Sequence, residues 1–149
     1  MGDVKLKSKK FIYRTKVSWV REKKGILSSA GKPDIEVAVP PEFRGHEDIW
    51  TPEDLFVASV NACIKTTFLY YAQKNNLEFL SYESEAEGIL ERVENGFMFT
   101  EIKVMPRIRI AADSQLEKAK EIMSLSEKNC LISNSIKSKV EVLPEIFTG

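Results

Sequence analysis

The sequence predicts an α+β fold in which helices pack against antiparallel strands, and three observations carry that prediction. Leu55 to Ala72 is interrupted only by Ser59, Asn61, Lys65, Thr66 and Thr67, so it reads as one long helix that is apolar nearly all round. Phe11 to Val20 alternates apolar and polar residues with the period of a strand. Two further alternating runs, Leu80 to Val93 and Phe97 to Ala111, flank Asn95-Gly96 as a hairpin would.

Taken in order, Asp3 to Lys10 is charged and reads as a fraying end or an edge strand. The alternation that follows puts Phe11, Tyr13, Thr15, Val17 and Trp19 on one face of a half-buried strand. Glu22 to Gly25 is a turn, Ile26 to Ser29 a partner strand, Gly31 to Asp34 a second turn, and Ile35 to Val39 a third strand stopped by Pro40 and Pro41. Pro41 to Trp50 is a loop that carries Arg44, His46, Glu47 and Asp48 toward the long helix. Such charges either serve a site or simply face solvent. That helix has a start signal, with Thr51 placed to cap, Pro52 at the first helical position and Asp54 placed to close a capping box. Asn75 and Asn76 supply its stop.

Glu83, Glu85, Glu87 and Glu91 recur with period two on the next strand and should face solvent. The return strand sets Glu101, Lys103, Arg107 and Arg109 against Ile102, Val104, Ile108 and Ile110, so opposite charges can meet across the hairpin. Pro106 marks an edge or a bulge in that strand. Asp113 opens a second helix as its cap, and Leu116, Ala119, Ile122, Met123 and Leu125 give it one apolar stripe. A short turn at Ser133 to Ser135 and a last strand, Val140 to Val142, precede Pro144.

Composition bounds the function. At 149 residues the chain suits a single domain with a real core, 1–149. Lys plus Arg equals Asp plus Glu at 22 each, and without a basic stripe nucleic acid is not an expected partner. A membrane span is not expected either, because Asn61 and Lys65 fall inside the long apolar segment. No apolar segment follows a basic N-terminus, so a cytoplasmic protein is expected. Cys63 and Cys130 are too few for a secreted disulfide framework, and with the single His46 they do not complete a zinc site. No cofactor or metal is expected.

Burial logic adds a partner. A two-layer subunit of this size covers one face of a helix, so a helix apolar all round implies a two-fold dimer. The cysteines leave two readings open. Cys63 and Cys130 are either plain buried packing residues or reactive thiols, and reactivity requires an environment that favours the thiolate.

The stretch from Pro40 to Ala72 resembles the first signature of the osmotically inducible (OsmC) and organic hydroperoxide resistance (Ohr) protein family. There a Pro-Glu-Glu-Leu-type helix start leads ten residues on to a reactive cysteine. Pro52, Glu53, Asp54, Leu55 and Cys63 match it. The second signature, a cysteine followed by Ser-Asn-Ser, a lysine and a Val-Glu-Val strand, is matched by Cys130, Ser133, Asn134, Ser135, Lys137, Val140, Glu141 and Val142. The resemblance runs from about Phe11 to the C-terminus. It departs at Leu131, where the family pattern has proline.

What the resemblance implies is an OsmC-like fold, with antiparallel sheets around a long buried central helix in an intertwined homodimer. It implies a thiol-dependent peroxidase that reduces organic hydroperoxides. Cys63 would be the peroxidatic thiolate and Cys130 the resolving thiol, recycled by a dithiol or lipoylated protein. Glu53 would orient an arginine that holds the thiolate, with Arg44 the first choice and Arg14 and Arg21 the strand-borne alternatives. Ten residues of helix separate Glu53 from Cys63 by roughly 15 Å, so a shared site requires the partner subunit or a bend. Phe43, Trp50 and Phe56 either line an organic pocket or belong to the core. The competing reading is a non-catalytic dimeric module that binds an apolar ligand and keeps its cysteines as packing. A third is other thiol chemistry on small electrophiles.

Overall fold

The computed structural model describes residues 9–149, so the expected edge or fraying segment lies, from Asp3 to Ser8, outside the described residues. The chain forms two compact units, Met1–Pro52 and Glu53–Gly149.

In the first unit, β1 (Lys16–Arg21), β2 (Lys24–Ser28) and β3 (Ile35–Ala38) form an antiparallel meander in the order β1-β2-β3. The first strand differs from expectation. It begins at Lys16 rather than Phe11, and its apolar face is open, with Tyr13 91% and Trp19 77% exposed. Alternation shows which residues share a face and leaves open what covers it, and among the described residues β1 is an edge strand paired only to β2. Beyond β3, Pro41–Phe43 makes a short 3-10 turn and Arg44 takes the left-handed conformation at φ 61°. Gly45 follows because a Cβ there would lie 1.6 Å from the Val39 carbonyl oxygen. His46 closes the loop, its N–H donating to the Val39 carbonyl at 2.9 Å and its Nε2 standing 3.5 Å from Glu22 Oε2.

The second unit is organised by α1 (Pro52–Lys74), which starts at the proline and ends as Asn76 turns left-handed at φ 53°. Val60, Cys63, Ile64, Phe68 and Ala72 form its buried face. Ala62, Lys65, Thr66, Leu69 and Tyr70 are exposed, so one chain does not sheathe the helix. By length and composition α1 could cross a membrane. In the fold it sits on its own sheet, where Asn61 Nδ2 donates to the Ser84 carbonyl at 3.1 Å.

That sheet contains β4 (Phe79–Val93), β5 (Gly96–Ile110), β6 (Lys139–Val142) and β7 (Glu145–Thr148). β4 pairs antiparallel with β5, whereas β6 and β7 both run parallel to β5. The strand β7 was not expected, because Pro144 reads as a terminus. The hairpin also differs in detail. Val93 pairs with Gly96, so Glu94 and Asn95 are the turn residues and both have negative φ, which excludes the primed turn that Asn-Gly suggests.

The acidic row faces solvent as expected, with Glu83 opposite Arg107 and Glu87 opposite Lys103. The Arg107 guanidinium nonetheless pairs with Glu145, Nε to Oε2 at 3.1 Å. Pro106 is buried in the central strand, neither at an edge nor at a bulge. β6 pairs with residues 101–104 and β7 with residues 107–110, so Pro106 falls in the gap where no ladder partner needs its missing N–H.

Asp113 does not cap the second helix. It opens a 3-10 turn, Asp113–Gln115, and its Oδ1 accepts from Thr148 Oγ1 at 2.8 Å. α2 (Leu116–Asn129) then buries Ala119, Ile122, Met123 and Ser126, while Leu125 remains 38% exposed. Ser126 fits the interior because its hydroxyl donates to the Ile122 carbonyl at 2.6 Å. The inward row of β5, Ile102, Val104, Ile108 and Ile110, joins the buried faces of α1 and α2 in one apolar cluster that includes both cysteines.

Candidate functional site

Cys63 lies mid-helix on the buried face of α1, and Cys130 ends α2 in extended backbone at φ −68°, ψ 110°. Both are free thiols, Cys130 fully buried and Cys63 8% exposed. The segment after α2 is wound tightly. The Asn134 N–H donates to the Cys130 carbonyl at 3.0 Å, Ser135 Oγ to the Leu131 carbonyl at 2.6 Å, and Asn134 Nδ2 to the Lys128 carbonyl at 3.0 Å. The Ser-Asn-Ser motif therefore fixes the turn that presents Cys130.

This turn aims a run of backbone N–H groups at the sulfurs. Ser133 N–H donates to Cys130 Sγ at 3.5 Å, while the Leu131 and Ile132 N–H groups serve Cys63. Backbone N–H dipoles directed at a sulfur favour its anionic form.

The two thiols titrate in opposite directions. Burial raises Cys63, but the Cys130 thiol, the Ile132 N–H, the Thr67 hydroxyl and the Leu131 N–H together outweigh it and hold Cys63 below the ordinary thiol value. Burial raises Cys130, Ser133 offsets part of that, and the hydrogen bond to and charge of Cys63 raise it further, so Cys130 stays above the ordinary value. The arrangement favours the thiolate at Cys63 over that at Cys130, with the Cys130 thiol as its hydrogen-bond donor. A thiolate is the reactive form of sulfur, and a thiol in contact with it can complete a disulfide once the first sulfur is oxidised.

The groups that lower Cys63 are all uncharged dipoles. Glu53 is half-buried in the first turn of α1, about 15 Å along the axis from Cys63, so its own helix does not bring the two together. Arg44 belongs to the first unit, exposed, with its carbonyl accepting from Lys23 Nζ at 2.8 Å. Arg14 and Arg21 are exposed in that unit as well. Phe43 and Trp50 are exposed, whereas Phe56 stacks on Phe99 with centroids 5.0 Å apart and so packs in the second unit. Among the described residues no group of His, Cys, Asp and Glu stands close enough to hold a metal ion.

Sequence reasoning missed Thr67 and the amides of residues 131–133. Thr67 was findable, since it stands one helical turn beyond Cys63. The amides were not, because a backbone group leaves no mark in composition. Leu131 explains its own departure from the resemblance: proline has no N–H, so only another residue can donate to Cys63 from that position.

A family model described as OsmC-like protein matches residues 45–145. An OsmC-like protein of unknown function from Vibrio cholerae is similar in structure at TM-score 0.80 and 24% identity, covering 92% of this chain and 99% of that one. An organic hydroperoxide resistance protein from Elizabethkingia anophelis, with thiocyanate bound, aligns at TM-score 0.75 and 20% identity over 95% of this chain and 99% of that one. A putative organic hydroperoxide resistance protein from Vibrio cholerae, with captopril bound in one of its active sites, aligns at TM-score 0.68 and 21% identity over 94% and 95%. No curated protein matches the chain. With an α+β fold shared across these structures and a family model spanning residues 45–145, the chain belongs to the OsmC-like protein family.

Proposed function

We propose that the protein is a thiol-dependent peroxidase for organic hydroperoxides. The observation that supports it most is the facing pair of free thiols, one held low and the other held high. The Cys63 thiolate attacks the distal oxygen of the hydroperoxide, the O–O bond breaks, and the alkoxide takes a proton and leaves as alcohol. Cys63 is now a sulfenic acid. Cys130 then attacks its sulfur, an S–S bond forms, the S–O bond breaks, and water leaves with the Cys130 proton. An external dithiol or lipoylated protein returns both thiols by exchange.

The resemblance gives the remaining roles. Glu53 orients an arginine, Arg44 in the first instance and Arg14 or Arg21 otherwise, and that guanidinium polarises the peroxide. The 15 Å separation along α1 requires Glu53 to come from a second copy. A homodimer is supported by the open face of α1 at Leu69 and Tyr70 and by the open face at Tyr13, Val17 and Trp19. It is supported too by a cleft of about 210 Å³ lined by Ala58, Asn61, Ala62, Lys65, Tyr82 and Ser84. Asn61 Oδ1 is buried there without a hydrogen-bond partner, which a second chain would supply. Free cysteines that must return to thiols suit the cytoplasm. The test is turnover: protein plus a dithiol should consume cumene hydroperoxide catalytically, and consumption no faster than the dithiol alone would refute the reading.

A further inference from the structure

One turn of helix beyond Cys63, two hydroxyls compete for one carbonyl. Thr66 Oγ1 lies 3.0 Å and Thr67 Oγ1 2.8 Å from the Cys63 carbonyl oxygen. That oxygen already receives the helical N–H of residue 67, so its two lone pairs face three donors and one hydroxyl is surplus. Thr67 Oγ1 also stands 3.9 Å from Cys63 Sγ. A hydroxyl has one proton and a free rotor. While Cys63 is a thiol, Thr67 can give its proton to the carbonyl and turn a lone pair toward the S–H. Once Cys63 is a thiolate, the sulfur becomes the stronger acceptor and the carbonyl is still served.

We propose that Thr67 is a thiolate-stabilising residue whose hydroxyl proton swings from the Cys63 carbonyl to Cys63 Sγ as that sulfur ionises, with Thr66 holding the carbonyl in its place. The lowering of Cys63 in which Thr67 takes part is consistent with the swing. The titratable group facing Cys63 is Cys130 at the end of α2, and Lys65, on α1 itself, is exposed. The inference deepens the peroxidase reading but is measured apart from it, since ionisation is read by alkylation without any peroxide.

The test is the pH profile of iodoacetamide alkylation at Cys63, mapped by peptide mass, in wild type, T67V, T67S and T66V. Valine keeps the shape of threonine and removes the hydroxyl. T67V should move the midpoint upward and slow alkylation about two- to fivefold below it, the effect of one modest hydrogen bond. T67S should restore the profile, and T66V, which removes only the donor that holds the carbonyl, should shift it by less than T67V. A T67V profile that superimposes on wild type, or a T66V shift as large as that of T67V, overturns the proposal. If the T67V shift appears in a protein that consumes no hydroperoxide, the swing stands and the peroxidase reading falls.

Discussion

The two faces of α1 should respond to substitution in different ways. Phe68 has no exposed surface, and its ring meets Phe79 edge-on at 5.2 Å and Tyr82 at 5.1 Å between centroids. Phe68→Ala removes the ring and leaves a cavity under a helix that cannot collapse onto it, at about 3–5 kcal/mol for a buried Phe→Ala change. Aromatic pairing is already contained in that figure. Against a total stability of about 5–15 kcal/mol this is a large fraction, and it lowers the melting temperature by about 10 °C for a chain of this length. Tyr70 lies two residues further on, 59% exposed. In an isolated subunit Tyr70→Ala should change stability by less than about 0.5 kcal/mol. In a dimer that covers this face, its cost should be larger at high protein concentration and shrink toward the isolated-subunit value as protein is diluted, because dimer stability follows mass action. Urea unfolding at several protein concentrations reads both. A Phe68→Ala loss under about 1 kcal/mol would refute the packing described for α1, and a Tyr70→Ala effect that is small at every concentration would refute the dimer.

Four further outcomes follow from the site. Cys63→Ser should abolish dithiol-dependent hydroperoxide consumption, and retained turnover would move the nucleophile elsewhere. Cys130→Ala should leave Cys63 as a sulfenic acid that dimedone traps after peroxide, with no intramolecular disulfide on non-reducing peptide maps; absence of the adduct contradicts the order of steps. Arg44→Ala should slow oxidation and shift the Cys63 alkylation profile upward, and an unchanged profile shifts the role to Arg14 or Arg21. Burial pushes Tyr82 up to about 12 against an ordinary value near 10. A raised acid is stabilising below its unfolded value, and that stability is lost as pH climbs from about 10 toward 12. Tyr82→Phe should therefore flatten the fall of the urea midpoint across that window, and an equally steep fall would contradict the burial.

Legibility in the sequence followed how local the cause was. Pro52 and Asn75-Asn76 bounded α1 because their signals are fixed by their own backbones. Glu83 to Glu91 declared a solvent face by spacing alone. Errors arose where a neighbour decided the outcome. Pro106 suits a central strand only because β6 stops before it and β7 begins after it. Asp113 has cap chemistry, yet the Thr148 hydroxyl takes its carboxylate. Leu125 was placed in the stripe that Ser126 occupies, since helical period resolves a face to about one residue. At the site, the paired cysteines were legible through the resemblance to a known family. The amide donors were not, because Leu131, Ile132 and Ser133 act through N–H groups that almost every residue type carries.

Peptide mapping of reduced protein after one equivalent of an alkyl hydroperoxide, without reductant, tests the thiol pair most directly. The loss of two hydrogens, assigned to a peptide in which Cys63 is bonded to Cys130 of the same chain, is the predicted result. Unmodified thiols, or a disulfide that joins either cysteine to another molecule while the pair stays unlinked, would contradict it.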